Sequence, residues 1–223
     1  MKILSLDTSN RSTSVSILED KKSIGKIFLN CGLIHSKVIP DIVKDLLNIS
    51  SFDIKNIDLL AICTGPGSFT GIRIGLAFMK GISLSIKKPC IGVSSLESLA
   101  YSVPIDDEII YSCIHANNDE IYFNSYEMIN SNLTERDEDK FIKFSDLTDL
   151  VKKEKKNIIF VGNASKTCYN LSSECLSCDS KFYEKEVDSD FVGQAALDHF
   201  CSNDYSLSAN YLKKTRAENL KNV

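Results

Sequence analysis

The sequence predicts an α/β protein made of two mixed-sheet subdomains, residues 1–104 and a shortened second one over 105–223. Three observations carry this prediction. Residues 2–7, 13–19 and 23–31 read as strands separated by the polar turns 8–12 and 20–22, which are short enough to force antiparallel pairing. Helix-like and strand-like segments then alternate up to Pro104. From Glu108 a similar pattern restarts in weaker form.

The elements follow in order. A first helix is predicted over 35–48, where Val38, Ile39, Ile42, Val43, Leu46 and Leu47 recur at helical spacing. The apolar run 57–64 ends in Gly65-Pro66-Gly67 and reads as a buried strand entering a turn. Ser68 is placed to cap a second helix reaching Ile86, which Lys88-Pro89 stops. A short strand over 90–93 leads to a third helix that starts at Ser94 and breaks at Pro104. Beyond it, strands are predicted over 109–114, 120–127 and 158–161, and helices over 145–154 and 190–201.

With 43% hydrophobic and 25% charged residues, the chain has the balance of a soluble globular protein. Its net charge of -4 offers no basic stripe for neutralising phosphates, so binding nucleic acid unaided is disfavoured. The lysines at 152, 153, 155 and 156 and the acidic stretch 135–139 read as solvated surface. The apolar opening at residues 3–6 is too short for a signal segment, and no run approaches the roughly 18 apolar residues that cross a bilayer, so a cytoplasmic location is expected. Several of the eight cysteines (Cys63, Cys90, Cys113) lie in strand-like runs and read as buried free thiols. Cys175 and Cys178 form a lone CxxC, with His199 and Cys201 downstream; the spacing is poor for zinc, and no metal ligand is assigned.

The informative block runs from Cys63 to Ala77, CTGPGSFTGIRIGLA: a strand, a turn containing Gly65 and Gly67, and a helix N-terminus. Such a helix start can bind an anion. Neither GxxxxGK[ST] nor GxGxxG is present in register, so a purely structural turn is the favoured reading and phosphate binding the lesser one.

The element order resembles the half-unit of the actin/Hsp70/sugar-kinase superfamily, in which two such halves flank a nucleotide cleft. More specifically, GPGSFTGIRIGLAFMKGIS followed by PCIGVSSLESLA resembles the signature of the TsaB (YeaZ-type) family. ILSLDTS, HSKVIPDI, NNDEIYFNSYE and YLKKTRAE resemble further family segments, while 130–190 is only loosely similar. Two positions depart from the family pattern: His115-Ala116-Asn117 stands where relatives often have Asp-Ala-Arg, and Gly162-Asn163-Ala164 where they often have Gly-Asp-Gly. The resemblance implies a catalytically silent relative of TsaD, the enzyme that transfers threonylcarbamoyl to adenosine beside the tRNA anticodon. It further implies a TsaD-type transferase and a TsaE-type ATPase as partners, a homodimer when alone, and tRNA met only through the complex.

Catalysis by this chain is not expected. TsaD-type enzymes hold a metal with HxxxH on the first helix, whereas here His35 is followed four residues on by Ile39. Asp7, Thr8 and Ser9 resemble the superfamily's first phosphate loop without the glycine that normally follows the aspartate, so they and the Gly65 and Gly67 turn read as vestigial and no cofactor is assigned. The alternatives, a metalloprotease-like hydrolase or a small-molecule kinase, lack the second histidine or HExxH and the phosphate glycine respectively.

The second helix is apolar nearly all round, more than one buried stripe requires. Gly71 and Gly75, four apart, could let another helix approach closely. A partner interface is therefore expected on His35, Val38, Ile39, Ile42, Val43 and Leu46 of the first helix and Thr70, Gly71, Ile72, Arg73, Gly75, Leu76 and Met79 of the second. The competing reading is full burial of both helices within the monomer.

Overall fold

A computed structural model describes residues 1–30, 32, 34–103, 107–117, 119–129, 132–177, 179–202, 207–210 and 212. The chain divides into two units: Met1–Pro104 with Lys185–Ala209, and Ile105–Glu184 with Asn210–Val223.

In the first unit β1 (Lys2–Asp7), β2 (Thr13–Glu19) and β3 (Lys22–Leu29) form an antiparallel meander. Strands β4 (Leu59–Gly65) and β5 (Cys90–Ser94) add in parallel beyond β1, giving the order β3-β2-β1-β4-β5. Helices α1 (His35–Ile49) and α2 (Phe69–Ile86) cover the face that presents Leu4, Leu6, Val15, Ile17, Leu60 and Ile62. Coverage on both sides explains why β4 is buried throughout and shows no polar alternation. Helix α3 (Ser95–Tyr101), capped by the Ser94 hydroxyl, ends short of Pro104, which lies outside the described residues.

Residues 190–201, read from sequence as part of the second subdomain, return instead to the first. They form α6 (Ser189–Cys201), which covers the opposite face of the first sheet. The fit is one of small residues. The Ser189 amide donates to Ser14 Oγ at 3.0 Å, and the Ser16 and Ser189 hydroxyls pair at 2.6 Å. Gly193 packs so closely that a Cβ there would stand 2.5 Å from Leu18 Cδ1 and 3.1 Å from Ser5 Oγ. Lys26 of β3 bridges Asp188 and Asp190 at the helix start, where carboxylates also suit the helix dipole.

In the second unit β6 (Ile109–Asn117) pairs antiparallel with β7 (Glu120–Ile129), and both β8 (Asn132–Glu135) and β9 (Lys140–Lys143) add to β7. β10 (Ile158–Val161) and β11 (Lys181–Tyr183) extend the sheet in parallel from β6. Helices α4 (Phe144–Val151) and α5 (Ser165–Ser172) supply Leu147, Val151 and Cys168 to a core in which Tyr111 meets Phe123 and Phe160 edge-on, at 4.9 and 5.6 Å. Sequence reading missed β8, β9, β11 and α5, which are short, partly exposed or polar and so carry no readable period.

Candidate partner interface on the first two helices

The inner face of α2 is seated on the loop after β1. The Ser68 hydroxyl caps the helix by accepting from the Gly71 amide at 3.3 Å, and the Ser68 amide donates to the Ser9 carbonyl at 2.7 Å. Thr8 Oγ1 donates to the Gly71 carbonyl at 2.8 Å. A Cβ on Gly71 would stand 2.0 Å from the Thr8 carbonyl oxygen, one on Gly75 2.4 Å from Thr8 Oγ1, and one on Gly67 2.4 Å from the Ser9 oxygen. The glycines thus admit a loop of the same chain, not a partner helix, and the Thr8–Ser9 turn is hydrogen-bonded to α2. Gly65 takes φ +98°, a backbone conformation that glycine supplies without strain.

Most of the expected interface is therefore monomer core. His35, Ile39, Ile42, Val43 and Leu46 of α1, and Gly71, Ile72, Gly75, Leu76 and Met79 of α2, are buried. Of that set only Thr70 and Arg73 are exposed, with Val38 half-buried. The outward surface of α2 is a different set: Arg73, Ala77, Lys80, Gly81 and Leu84 exposed, and Ile74, Phe78 and Ile82 half-buried. Leu84 is 81% exposed and, on α1, Ile49 is 79% exposed. Ala77 and Gly81 are the small pair, four apart, that faces outward, and a Cβ on Gly81 would meet nothing within 4 Å. An apolar groove of about 480 Å³ runs between the helices, floored by Pro40, Val43, Leu47, Phe52, Phe78 and Ile82 and edged by Lys44 and Asp53.

Helix α2 has 18 residues and a mean hydropathy of 1.3, long and apolar enough by composition to cross a bilayer, contrary to the sequence reading. Only 28% of it is buried. Its inner face is bound into the first sheet, and its outer face carries Arg73, whose guanidinium lies 3.8 Å over the Phe69 ring, and Lys80.

Asp7 ends β1 fully buried. Its Oδ1 accepts from the Ser9 amide at 3.0 Å, while Oδ2 has no hydrogen-bond partner. Burial pushes its carboxyl up to about 6, with the Ser9 hydrogen bonds opposing the shift. Next to it the Cys63 thiol pairs with the Ser95 hydroxyl at 3.0 Å, and burial pushes that thiol far above its ordinary value. His35 Nδ1 pairs with Thr13 Oγ1 at 2.7 Å, and His199 Nε2 with Glu97 Oε1 at 2.8 Å. Among the described residues, no three His, Cys, Asp or Glu side chains come together as a metal site. Cys175 and Cys201 are exposed, and Cys178 lies outside the described residues.

In the second unit the two departures from the family pattern meet each other: the His115 amide donates to Asn163 Oδ1 at 2.8 Å. Gly162 takes φ +114°, and the Ala164 amide returns to the Cys113 carbonyl at 3.2 Å. These residues act as a turn lock between β6 and α5.

The family model described as TsaD, tRNA N6-adenosine threonylcarbamoyltransferase, matches residues 31–220. A protein named tRNA threonylcarbamoyladenosine biosynthesis protein TsaB, from Buchnera aphidicola subsp. Schizaphis graminum, is 34% identical over 83% of this chain and 86% of its own length. YeaZ from Pseudomonas aeruginosa has the same fold at a TM-score of 0.76, with 18% identity over 96% of this chain and 98% of its own. A ROK hexokinase from Thermus thermophilus superposes at a TM-score of 0.52 with 8% identity, covering 92% of this chain and all of its own, which places the fold in the actin/Hsp70/sugar-kinase class. The central meander with parallel strands, the GPGSFTG turn seating α2 on the β1 loop, and these likenesses agree: the chain belongs to the TsaB (YeaZ-type) family.

Proposed function

We propose that this chain is a non-catalytic subunit of the assembly that forms the N6-threonylcarbamoyl group on the tRNA adenosine next to the anticodon. It acts by docking on, and activating, a TsaD-type transferase through the outward faces of α1 and α2. The observation that carries this is α2: an 18-residue helix of mean hydropathy 1.3 that is only 28% buried and turns Ala77, Gly81 and Leu84 outward. A surface this apolar needs a cover, and Arg73 and Lys80 within it favour a protein over lipid.

The same face supports a homodimer when the chain is alone. Exposed Asp41 and Asp45 on α1 are opposite in sign to Arg73 and Lys80 on α2, so a twofold pairing that sets one copy's α1 against the other's α2 brings unlike charges together. A TsaE-type ATPase completes the assembly. A net charge of -4 leaves tRNA to be engaged through the complex, in the cytoplasm, with no cofactor held by this subunit.

The test uses Phe78→Asp and Gly81→Leu, both at outward positions, with the transferase and ATPase present. Association read by sedimentation, and tRNA modification from ATP, threonine and bicarbonate, are expected to fall together at least about thirtyfold, the loss of roughly 2 kcal/mol at an interface hot spot. Circular dichroism should stay native. A folded Phe78→Asp protein that still associates and still supports modification would put the interface elsewhere.

A further inference from the structure

The core of the second unit holds two thiols that the proposed docking does not use. Cys113 in β6 and Cys168 in α5 are both 0% exposed and share one apolar cluster with Tyr111, Phe123 and Phe160. Their backbones are tied together. The Ala164 amide donates to the Cys113 carbonyl at 3.2 Å, and the Cys168 amide donates to the Ala164 carbonyl at 3.0 Å. Cys168 therefore rises one turn above the residue pinned to Cys113, on the same face of the helix. The Cys113 thiol lies 3.6 Å from the Tyr111 carbonyl, and the Cys168 thiol is near enough to add to the upward push that burial gives it.

We propose that Cys113 and Cys168 form a reversible disulfide that staples α5 to β6 when the protein meets a two-electron thiol oxidant such as hydrogen peroxide. One thiol gives up its proton and attacks the peroxide as the thiolate, forming a sulfenic acid and a hydroxide that takes up that proton to leave as water. The second thiol displaces the hydroxyl as another water, so both sulfurs are oxidised to one S–S bond and the O–O bond is reduced. No other two buried thiols among the described residues are placed for this. Cys63 is engaged by Ser95, and Cys90 lies opposite Leu60, three positions along β4 from Cys63.

The pair is protected in the closed protein. Burial holds the Cys113 thiol well above its ordinary value and so suppresses its thiolate. Reaction must wait for α5 to lift away, and α5 is a polar helix of only 8 residues, the kind of segment that opens locally before the rest unfolds. The staple is thus a record of opening in the second unit, closed by oxidation and released by dithiol.

The experiment starts from the full chain with Cys31, Cys175, Cys178 and Cys201 changed to Ser, which leaves the four buried thiols. It is exposed to hydrogen peroxide at urea concentrations below the unfolding transition, quenched with N-ethylmaleimide and mapped without reduction. The expected result is loss of two hydrogens from the intact mass, a linked Cys113–Cys168 peptide forming several-fold faster in mild urea, and reversal by dithiothreitol. Cys168→Ser in the same background should abolish the link, and mapping of the wild-type chain gives the same readout should that variant fail to fold. Absence of the linked peptide at every urea concentration, or linkage of Cys113 to Cys63 or Cys90 instead, overturns the proposal.

Discussion

The substitution Asp7→Asn tests the tension at the end of β1. The carboxyl is fully buried and leaves Oδ2 without a hydrogen-bond partner. Folding raises it from 3.8 to about 6. Because the folded value is the higher one, the protonated form is favoured by folding, and the associated stability is complete below pH 3.8 and lost as pH rises through 6. Linkage over that interval gives a wild-type loss of about 0.5 kcal/mol at pH 4, about 1.6 at pH 5 and about 3 at pH 8. The asparagine side chain does not titrate, so the variant's stability relative to wild type should climb by about 2–2.5 kcal/mol between pH 4 and pH 8. Urea unfolding of both proteins, followed by circular dichroism across that range, reads the difference directly. Any effect of the amide itself is a constant offset between the two curves, and only the slope carries the argument. Curves that stay parallel from pH 4 to pH 8, or that diverge in favour of wild type as pH rises, would refute it.

Gly71→Ala should destabilise the first unit by about 2–3 kcal/mol or prevent its folding, since the new Cβ meets the Thr8 backbone oxygen at 2.0 Å, while Gly81→Ala, in open space, should stabilise by up to about 1 kcal/mol; thermal melts of the two variants check the contrast. Thr8→Val removes the hydroxyl that donates to the Gly71 carbonyl at 2.8 Å and should cost about 1–2 kcal/mol in urea unfolding. Gly75→Leu and Ile42→Asp, which sequence patterning would select as interface probes, fall on buried positions and are expected to yield unfolded or insoluble protein in place of folded monomers.

The first meander, the strand after residue 57 and the span of α2 from its Ser68 cap were all readable, because each has a clean period or an unambiguous stop signal. Which side of α2 faces the core was not. A helix apolar around its whole circumference points nowhere, and a glycine admits any close neighbour equally; the neighbour proved to be Thr8, 63 positions earlier in the chain. The same limit applies to α6, whose helical pattern is evident but whose destination depends on the small residues Ser5, Ser14 and Ser16 of a distant sheet face. The contact between His115 and Asn163 shows the converse. Two separate irregularities in the sequence turn out to be the two ends of one hydrogen bond.

The return of residues 185–209 to the first unit sets the order in which the polypeptide can finish folding. While a ribosome is still adding residues 105–184, the opening sheet has only one of its two faces clothed, with Leu18 and the serines beside it open to water. The intervening unit is whole by residue 184 apart from its tail, so it is free to settle first, reversing the usual N-to-C sequence. A fragment ending at residue 104 would be permanently half-dressed, prone to aggregate through the face that α6 should cover. Supplying a peptide spanning 185–209 in trans should restore its solubility.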